Sequence, residues 1–433
     1  MTSTDSATAQ SETWEPKPPE LLPPWHTPER EKLQEQARRF AMDEVLPVAN
    51  ELDPQKGEIP ASLLARIAEL GYFGITVPEE CGGLGLGVFE YCMVAEELAR
   101  AWMSTASILA RSQGLGTTVA DDDRRRELLG RSARGEWIGA IALSEPDAGS
   151  DLAGVSTRAV LEGGEWVVTG RKRWCGNAKA ADFIQVLVRV RDPEPDEPRS
   201  RGLKNLLLEK KRGEFPEGLT GHPIDKVGYH GFLTWDLTFD GVRIPADNVL
   251  DDANAGSDED GRAGDGADGR AGDGRAARAG FAAAQKFLNT ARVHTAARAV
   301  GLARAALEDS VLYLQEREQF GHPIGDFQAL RFAVAEMAAQ IEQSRAFYRQ
   351  VAHLLDLGVP CEKEAAMVKL EATEMSVRVT NQAMQLHGGN GYTTERQVER
   401  HWRDARLTTI FEGTSEIQKR IISDRLLPRS PLS

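Results

Sequence analysis

Leu63, Leu64, Ile67 and Leu70 recur at steps of three and four, which places them on one face of a helix. The chain reads helical from about Thr27 to Arg134. Thr27 is a candidate N-cap, with Pro28 at the first helical position, where its missing N–H costs nothing. The glycine-rich stretch Cys81 to Gly87 interrupts as a loop, and Phe89 to Leu98 resumes the helical pattern. From Trp137 to Leu250 the period changes. Trp166-Val-Val, Phe183 to Val190 and Leu206-Leu-Leu are short strand-like runs, and Gly163-Gly164 reads as a hairpin turn. Trp235, Leu237 and Phe239 alternate with Thr234, Asp236 and Thr238, the pattern of a half-buried strand. Beyond residue 280 the helical period returns. Val300, Leu307, Val311 and Leu314 share one face, and Phe327, Leu330, Val334, Met337 and Ile341 another.

These patterns predict a mainly α protein with a central β-domain. A helical domain is expected over 27–136, a small β-domain over 137–250 and an antiparallel helix bundle over 281–433. Between the last two, 251–280 is built from Gly, Ala, Asp and Arg, with GRAGDG occurring twice. It has almost nothing apolar to bury against the entropy of ordering, so it reads as a disordered surface insertion. Residues 1–26 read as a mobile arm, since Met1 to Glu20 has neither an apolar stretch nor a Lys or Arg before Lys17.

The net charge of −14 argues against nucleic acid or an anionic membrane surface as the main partner. No apolar run approaches the roughly 20 residues that cross a bilayer. The four cysteines, Cys81, Cys92, Cys175 and Cys361, have no metal-ligand spacing and suit a reducing cytoplasm better than a disulfide framework. There is no GxGxxG opening a βαβ unit, no GxxxxGK[ST], no GxSxG and no HExxH. A metal is therefore not expected.

Four segments stand out: Leu143-Ser-Glu-Pro-Asp-Ala-Gly-Ser-Asp151, Arg317-Glu-Gln-Phe-Gly321, Gln385-Leu-His-Gly-Gly-Asn-Gly391 and Ile410-Phe-Glu-Gly-Thr-Ser-Glu-Ile417. In this order, on a helix–β–helix layout, the chain resembles the acyl-CoA dehydrogenases from about residue 30 to 427, outside the insertion, which implies a β-barrel-like middle domain and a C-terminal four-helix bundle. The resemblance implies an FAD enzyme that desaturates an acyl thioester on CoA or a carrier protein. It also implies a homodimer or homotetramer that passes electrons to an electron-transfer flavoprotein.

Glu412 matches the family's catalytic base, and a carboxylate in a dry pocket, its pKa raised by desolvation, could take an α-proton. On the residues alone, Glu412 reads rather as a surface carboxylate before a helix capped by Thr414 or Ser415, and the motif context reverses that reading. The alternative base position of some relatives is Ala291 here, beside Arg292, and alanine cannot accept a proton. Leu143, Ser144, Gly149 and Ser150 are implied flavin contacts, and Trp174 an aromatic against the ring system. Cys175 and Gly176 follow it, and Gly176 stands where a hydroxyl residue usually donates toward flavin N5. Thr169, a backbone N–H or a water could substitute. Arg317, Phe320, Gln328, Gln385, Leu386, Gly388 and Gly389 match residues that reach a neighbouring subunit's FAD. Thr414, Ser415 and Glu416 match contacts near its adenosine half. Arg292, Asn289 (where Asp is common), Ser150 and Gly413 match positions around the CoA thioester. Arg403-Asp404 reads as a structural ion pair. An oxidase or monooxygenase of the same fold, and a non-catalytic flavin- or acyl-binding homologue, are the competing functions; peroxide yield under air separates the first from a dehydrogenase.

Overall fold

The computed structural model of the chain describes residues 25–118, 122–250 and 273–427, the side chains of 273–286 excepted. Most of the expected arm, and 251–272 of the expected insertion, lie outside the described residues.

The N-terminal segment folds as helices α1 (Pro28–Phe40), α2 (Leu46–Leu52), α3 (Ala61–Glu69), α4 (Val88–Ala101), α5 (Met103–Leu109) and α6 (Asp122–Ala133). Thr27 caps α1 as its spacing predicted, its hydroxyl accepting from the Arg30 N–H at 3.3 Å with Pro28 at the first turn. The end of the expected arm departs from the sequence reading. The Trp25 carbonyl accepts from Arg30 and its ring lies 6.3 Å from His353, so Trp25 docks on the helical body.

Among the described residues, eight strands form one sheet in the order β6-β7-β3-β2-β4-β5-β8, with β1 pairing β4. They are β1 (Gly139–Ala142), β2 (Arg158–Glu162), β3 (Glu165–Gly176), β4 (Phe183–Arg189), β5 (Leu203–Glu209), β6 (Leu219–Pro223), β7 (Thr234–Pro245) and β8 (Val249–Leu250). The Gly163-Gly164 turn joins β2 to β3 with both glycines at positive φ, as a tight hairpin requires. On β7, Trp235, Leu237 and Phe239 face inward while Thr238 faces out. Their core is continuous with Ala142, Val168, Ile184, Val186 and Leu206.

The C-terminal helices are α7 (Asp273–Glu316), α8 (Gln328–Asp356), α9 (Glu362–His387), α10 (Val398–Thr408) and α11 (Ser415–Leu426), with a small hairpin of β9 (Glu318–Gln319) and β10 (His322–Pro323) between α7 and α8. α7 begins at Asp273, earlier than the expected 281, so the last residues assigned to the insertion are helical. Among the described residues, no helix is long and apolar enough to cross a membrane.

Two helical regions that read as separate in sequence share one core. Phe89, Val94 and Leu98 of α4 pack in the same cluster as Val293, Val300 and Leu302 of α7 and Met375 and Val379 of α9. α4 is buried along its whole length, so its charges need internal partners. Glu96 receives Arg304 at 2.9 Å, Arg345 at 3.0 Å and the Tyr348 hydroxyl at 2.5 Å, and Glu97 receives Arg304. Gly301 sets the spacing, because a Cβ there would lie 2.4 Å from the Glu96 carbonyl oxygen.

Burial pushes the Glu96 carboxyl up, but Arg345, Arg304 and Arg349 prevail and hold it at about 2. Its folded pKa is depressed, so its contribution is present above the ordinary glutamate value of about 4.3 and lost as pH falls toward 2. Glu96→Ala leaves buried guanidinium groups short of a partner and should cost about 3–5 kcal/mol at pH 7. Differential scanning calorimetry should show a large drop in Tm, with the gap to wild type narrowing as the pH is lowered from 4.5 to 2.

Candidate active site

Glu412 lies in the turn between α10 and α11, where Thr414 caps α11 by accepting from the Ile417 N–H at 3.3 Å. Its backbone has φ +53° and Gly413 follows at +87°, two consecutive left-handed residues that turn the glutamate back toward α7. For a non-glycine residue that conformation is uncommon and is characteristic of functional sites. Trp174, Tyr229 and Phe320 also have positive φ. Lys369 of α9 steadies the turn by donating to the Gly413 carbonyl at 2.7 Å.

The Glu412 side chain keeps 25% of its surface exposed and accepts from Arg298 at 2.9 Å on both oxygens. The Thr295 hydroxyl also contacts it. This corrects the expectation of a raised pKa. Burial does push the carboxyl up, but the Arg298 guanidinium, the Thr295 hydroxyl and Arg111 together outweigh it and hold it below the ordinary glutamate range. Arg298, Thr295, Ser107, Tyr229 and Arg111 were not singled out from the sequence. A signal was there: His294, Thr295 and Arg298 break an otherwise apolar stretch of α7 from Val293 to Ala303, and all three are buried.

Ala291 is one turn before Thr295 on the same face, and its carbonyl accepts from the Thr295 hydroxyl at 2.9 Å. Arg292 donates to the Asn289 side-chain oxygen at 2.8 Å, so the asparagine at a position where Asp is common still orients this arginine. Arg403 and Asp404 do not pair with each other, contrary to the sequence reading. Arg403 pairs with Asp53 at 2.7 Å and with Glu399, while buried Asp404 accepts from the Tyr229 N–H at 2.6 Å. Asp404 thereby holds the Tyr229 loop against the site.

Leu143 to Ser150 form a loop anchored by buried Glu145. That carboxylate accepts from Lys172 at 2.8 Å and from the Ser156 and Thr157 N–H groups at 2.7 and 2.9 Å. Burial pushes Glu145 up, yet Lys172, Thr157 and Ser156 bring it to about 2. Leu143 is partly buried, Ser144 half-buried, and Gly149 and Ser150 exposed with open space beside Gly149. Trp174 is not core: a bulge in β3 turns it outward, 55% exposed, with the Arg173 guanidinium 4.7 Å from its ring. Cys175 packs inward, and burial pushes its thiol up to about 12, so only its backbone faces the surface of the site. Thr169 does not substitute for the missing hydroxyl. It sits seven residues back along β3 from Gly176 and accepts from the Gly241 N–H at 3.3 Å. Gly176 is glycine because the Phe232 ring fills its space; a Cβ would lie 2.3 Å from that ring.

Thr414, Ser415 and Glu416 line an open cavity of about 300 Å³ with Glu374, Arg406 and Thr409. The remaining residues gather elsewhere. Tyr313 stacks on His387 at 4.4 Å, and Asn390 donates to the Tyr313 hydroxyl at 2.9 Å. That brings the end of α7, with Arg317, together with Gln385 and Gly388-Gly389 at the end of α9. Arg317 and Gln385 are exposed, and Arg317 has no side-chain partner among the described residues. Phe320 is 89% exposed at the β9–β10 hairpin, Gln328 is exposed at the start of α8, and Leu386 is buried. At about 1.5 Å per residue, Arg317 stands about 28 Å along α7 from Arg298.

The uncovered Trp174 face, with open space at Gly149, suits a flat ring, and the separate patch of Gly388, Gly389 and the exposed Arg317 suits a pyrophosphate. The comparisons agree with that chemistry. The chain matches the N-terminal domain of acyl-CoA dehydrogenases over residues 27–136, the middle domain over 140–242 and the C-terminal domain over 278–427. It is therefore a member of the acyl-CoA dehydrogenase family, FAD-dependent oxidoreductases of the CH–CH group.

Among its relatives, the probable acyl-CoA dehydrogenase YngJ of Bacillus subtilis is 37% identical over 406 residues, covering 93% of this chain and 98% of that protein. The (2S)-methylsuccinyl-CoA dehydrogenase of Cereibacter sphaeroides is 35% identical over 407 residues, covering 92% and 70%. The solved structure of butyryl-CoA dehydrogenase from Megasphaera elsdenii superposes with a TM-score of 0.78 at 31% identity, covering 93% of this chain and 99% of that one.

The Gly176–Phe232 contact is directly testable. Gly176→Ser should overpack the site and destabilise by about 1–3 kcal/mol. Combined with Phe232→Ser, the double variant should lose less stability than the sum of the two single changes. Strict additivity in urea denaturation would show that the ring does not exclude a side chain at 176.

Proposed function

We propose that the chain oxidises the Cα–Cβ bond of an acyl-CoA to the enoyl thioester, with Glu412 as the base that accepts the α-proton. Bound FAD supplies the two-electron acceptor for the hydride that leaves Cβ. What supports the reading is the placement of Glu412. A left-handed turn, capped by Thr414 and braced by Lys369, presents this carboxylate to the face of α7 that carries Ala291 and Thr295.

Each remaining role follows from local chemistry. Arg292, oriented by Asn289, binds the charged CoA part. The backbone and small side chains of Leu143, Ser144, Gly149, Ser150, Cys175 and Gly176 line the flavin beside Trp174, and Ser150 and Gly413 border the thioester. Thr414, Ser415 and Glu416 contact the cofactor's adenosine half. Arg317 and Phe320 past the end of α7, Gln328 at the start of α8, and Gln385, Leu386 and Gly388-Gly389 at the end of α9 match family residues that reach a neighbouring FAD, and they serve a second subunit's cofactor. The active species is then a homodimer or a dimer of dimers. Electrons leave to an electron-transfer flavoprotein.

The purified protein should be yellow, with about one FAD per subunit, and should sediment as a dimer or tetramer. Glu412→Gln keeps the volume but cannot accept the proton. Anaerobic flavin bleaching by an acyl-CoA should slow by about 10²–10⁴-fold while FAD content is kept. Adding Ala291→Glu to that variant should restore part of the rate, because residue 291 shares the α7 face that meets Glu412. A near-native bleaching rate in Glu412→Gln would assign the base to another residue.

A further inference from the structure

Arg298 presents a difficulty for a base. A guanidinium that donates to both oxygens of Glu412 stabilises the carboxylate, and a stabilised carboxylate accepts a proton less readily. The pairing is also sequestered, since Arg298 is only 1% exposed. Its other Nη donates to Ser107 at 2.8 Å, its Cζ lies 4.8 Å from the Phe411 ring, and its Nε is buried without a partner among the described residues.

The surroundings add positive charge and unused donors. Arg111, just past α5, lies 5.5 Å from the Phe232 ring, with its Nε buried and unpartnered. It is close enough to act electrostatically on Glu412, Tyr91 and Tyr229. Lys369 comes from α9 on the far side of the turn. His294 stacks on Tyr91 at 4.3 Å, its Nε2 buried without a partner, and burial with the two arginines keeps it neutral. Glu374, which accepts from Ser415 at 2.5 Å, acts on Lys369, so Glu412 is the carboxylate that Arg298 and Arg111 share. A plain alkyl chain would leave such a pocket with excess charge and unpaired donors, which is costly when buried.

We propose that this pocket selects an acyl thioester carrying a second carboxylate, and that this substrate carboxylate takes Arg298 over from Glu412. The inference rests on Glu412 being the base. Because Arg298 touches the base itself, the second carboxylate belongs within a carbon or two of the Cα–Cβ bond, as in thioesters of short dicarboxylic acids. The arginine fork can hold that group bidentately, with Arg111 as the second cation. Glu412, relieved of its partner, then regains the basicity that burial confers. The base is thus released by the substrate it is meant to act on, and Arg298 and Arg111 are specificity-determining residues.

The test compares thioesters that differ only in a terminal methyl or carboxylate: butyryl-CoA against succinyl-CoA, and pentanoyl-CoA against glutaryl-CoA. With the FAD-loaded protein, the carboxylated member of at least one pair should bleach the flavin roughly 10²-fold faster or more, the scale on which buried donors reject a ligand lacking their partner. The inert Glu412→Gln protein, titrated by its flavin absorbance, should bind that member about 10-fold tighter than its plain counterpart. Arg298→Gln should erase the preference and Arg298→Lys keep part of it. Arg111→Gln, at a half-buried position outside the helical core, should reduce the preference with FAD content unchanged.

Equal bleaching and equal binding within both pairs would overturn the proposal, as would an unchanged preference in the Arg298 and Arg111 variants. If no thioester of either kind bleaches the flavin, the dehydrogenase reading fails, and the binding titration still decides what the pocket prefers.

Discussion

A guanidinium buried at the meeting point of three chain segments must have all its partners supplied by them, and Arg298 is such a group. It bonds Ser107 of α5, Thr295 on its own helix, and Glu412 in the turn before the last helix. Residues nearly 200 positions apart in sequence are thereby held within hydrogen-bonding distance. Losing Glu412 would strand a buried charge, and losing Ser107 or Thr295 would leave a buried N–H without its partner, so the three segments hold their positions together.

That junction can form because the two helical regions are one body. Buried α4 brings Glu96 and Glu97 into the interior, α7 and α8 bring the arginines that match them, and Gly301 lets the helices approach. The β-sheet keeps its own core and contributes at its margin. There the bulge near the end of β3 turns Trp174 outward, and the loop before β7 places Tyr229 and Phe232 against the helices. The candidate site lies at the seam between the helical body and the end of the sheet near β3, a setting in which ligand pockets are common.

Departures from the family pattern become intelligible in this setting. Gly176 is accommodated by Phe232, whose ring takes the space that a side chain at 176 would fill. Asn289 keeps an oxygen for Arg292. Ala291 leaves the face of α7 opposite Glu412 without a second carboxylate, and Arg298 two turns on supplies a cation in that region instead.

The periods of three to four and of two along the chain determined where helices and strands form, because backbone geometry alone converts spacing into faces; Thr27 with Pro28, the Gly163-Gly164 turn and the alternation in β7 are examples. The four segments likewise carried the family and its candidate residues, since each is a local run whose chemistry survives being read in isolation. The linear pattern was silent on what depends on distance between remote residues. It could not show that Trp25 docks, that Arg403 pairs with Asp53 rather than with its neighbour, or that one end of α7 gathers Arg317 while its middle meets Glu412. Above all it misjudged the electrostatics of Glu412. Desolvation can be inferred from an apolar neighbourhood, but the opposing charges come from residues 111 and 298, and only the tertiary fold decided that they would face residue 412.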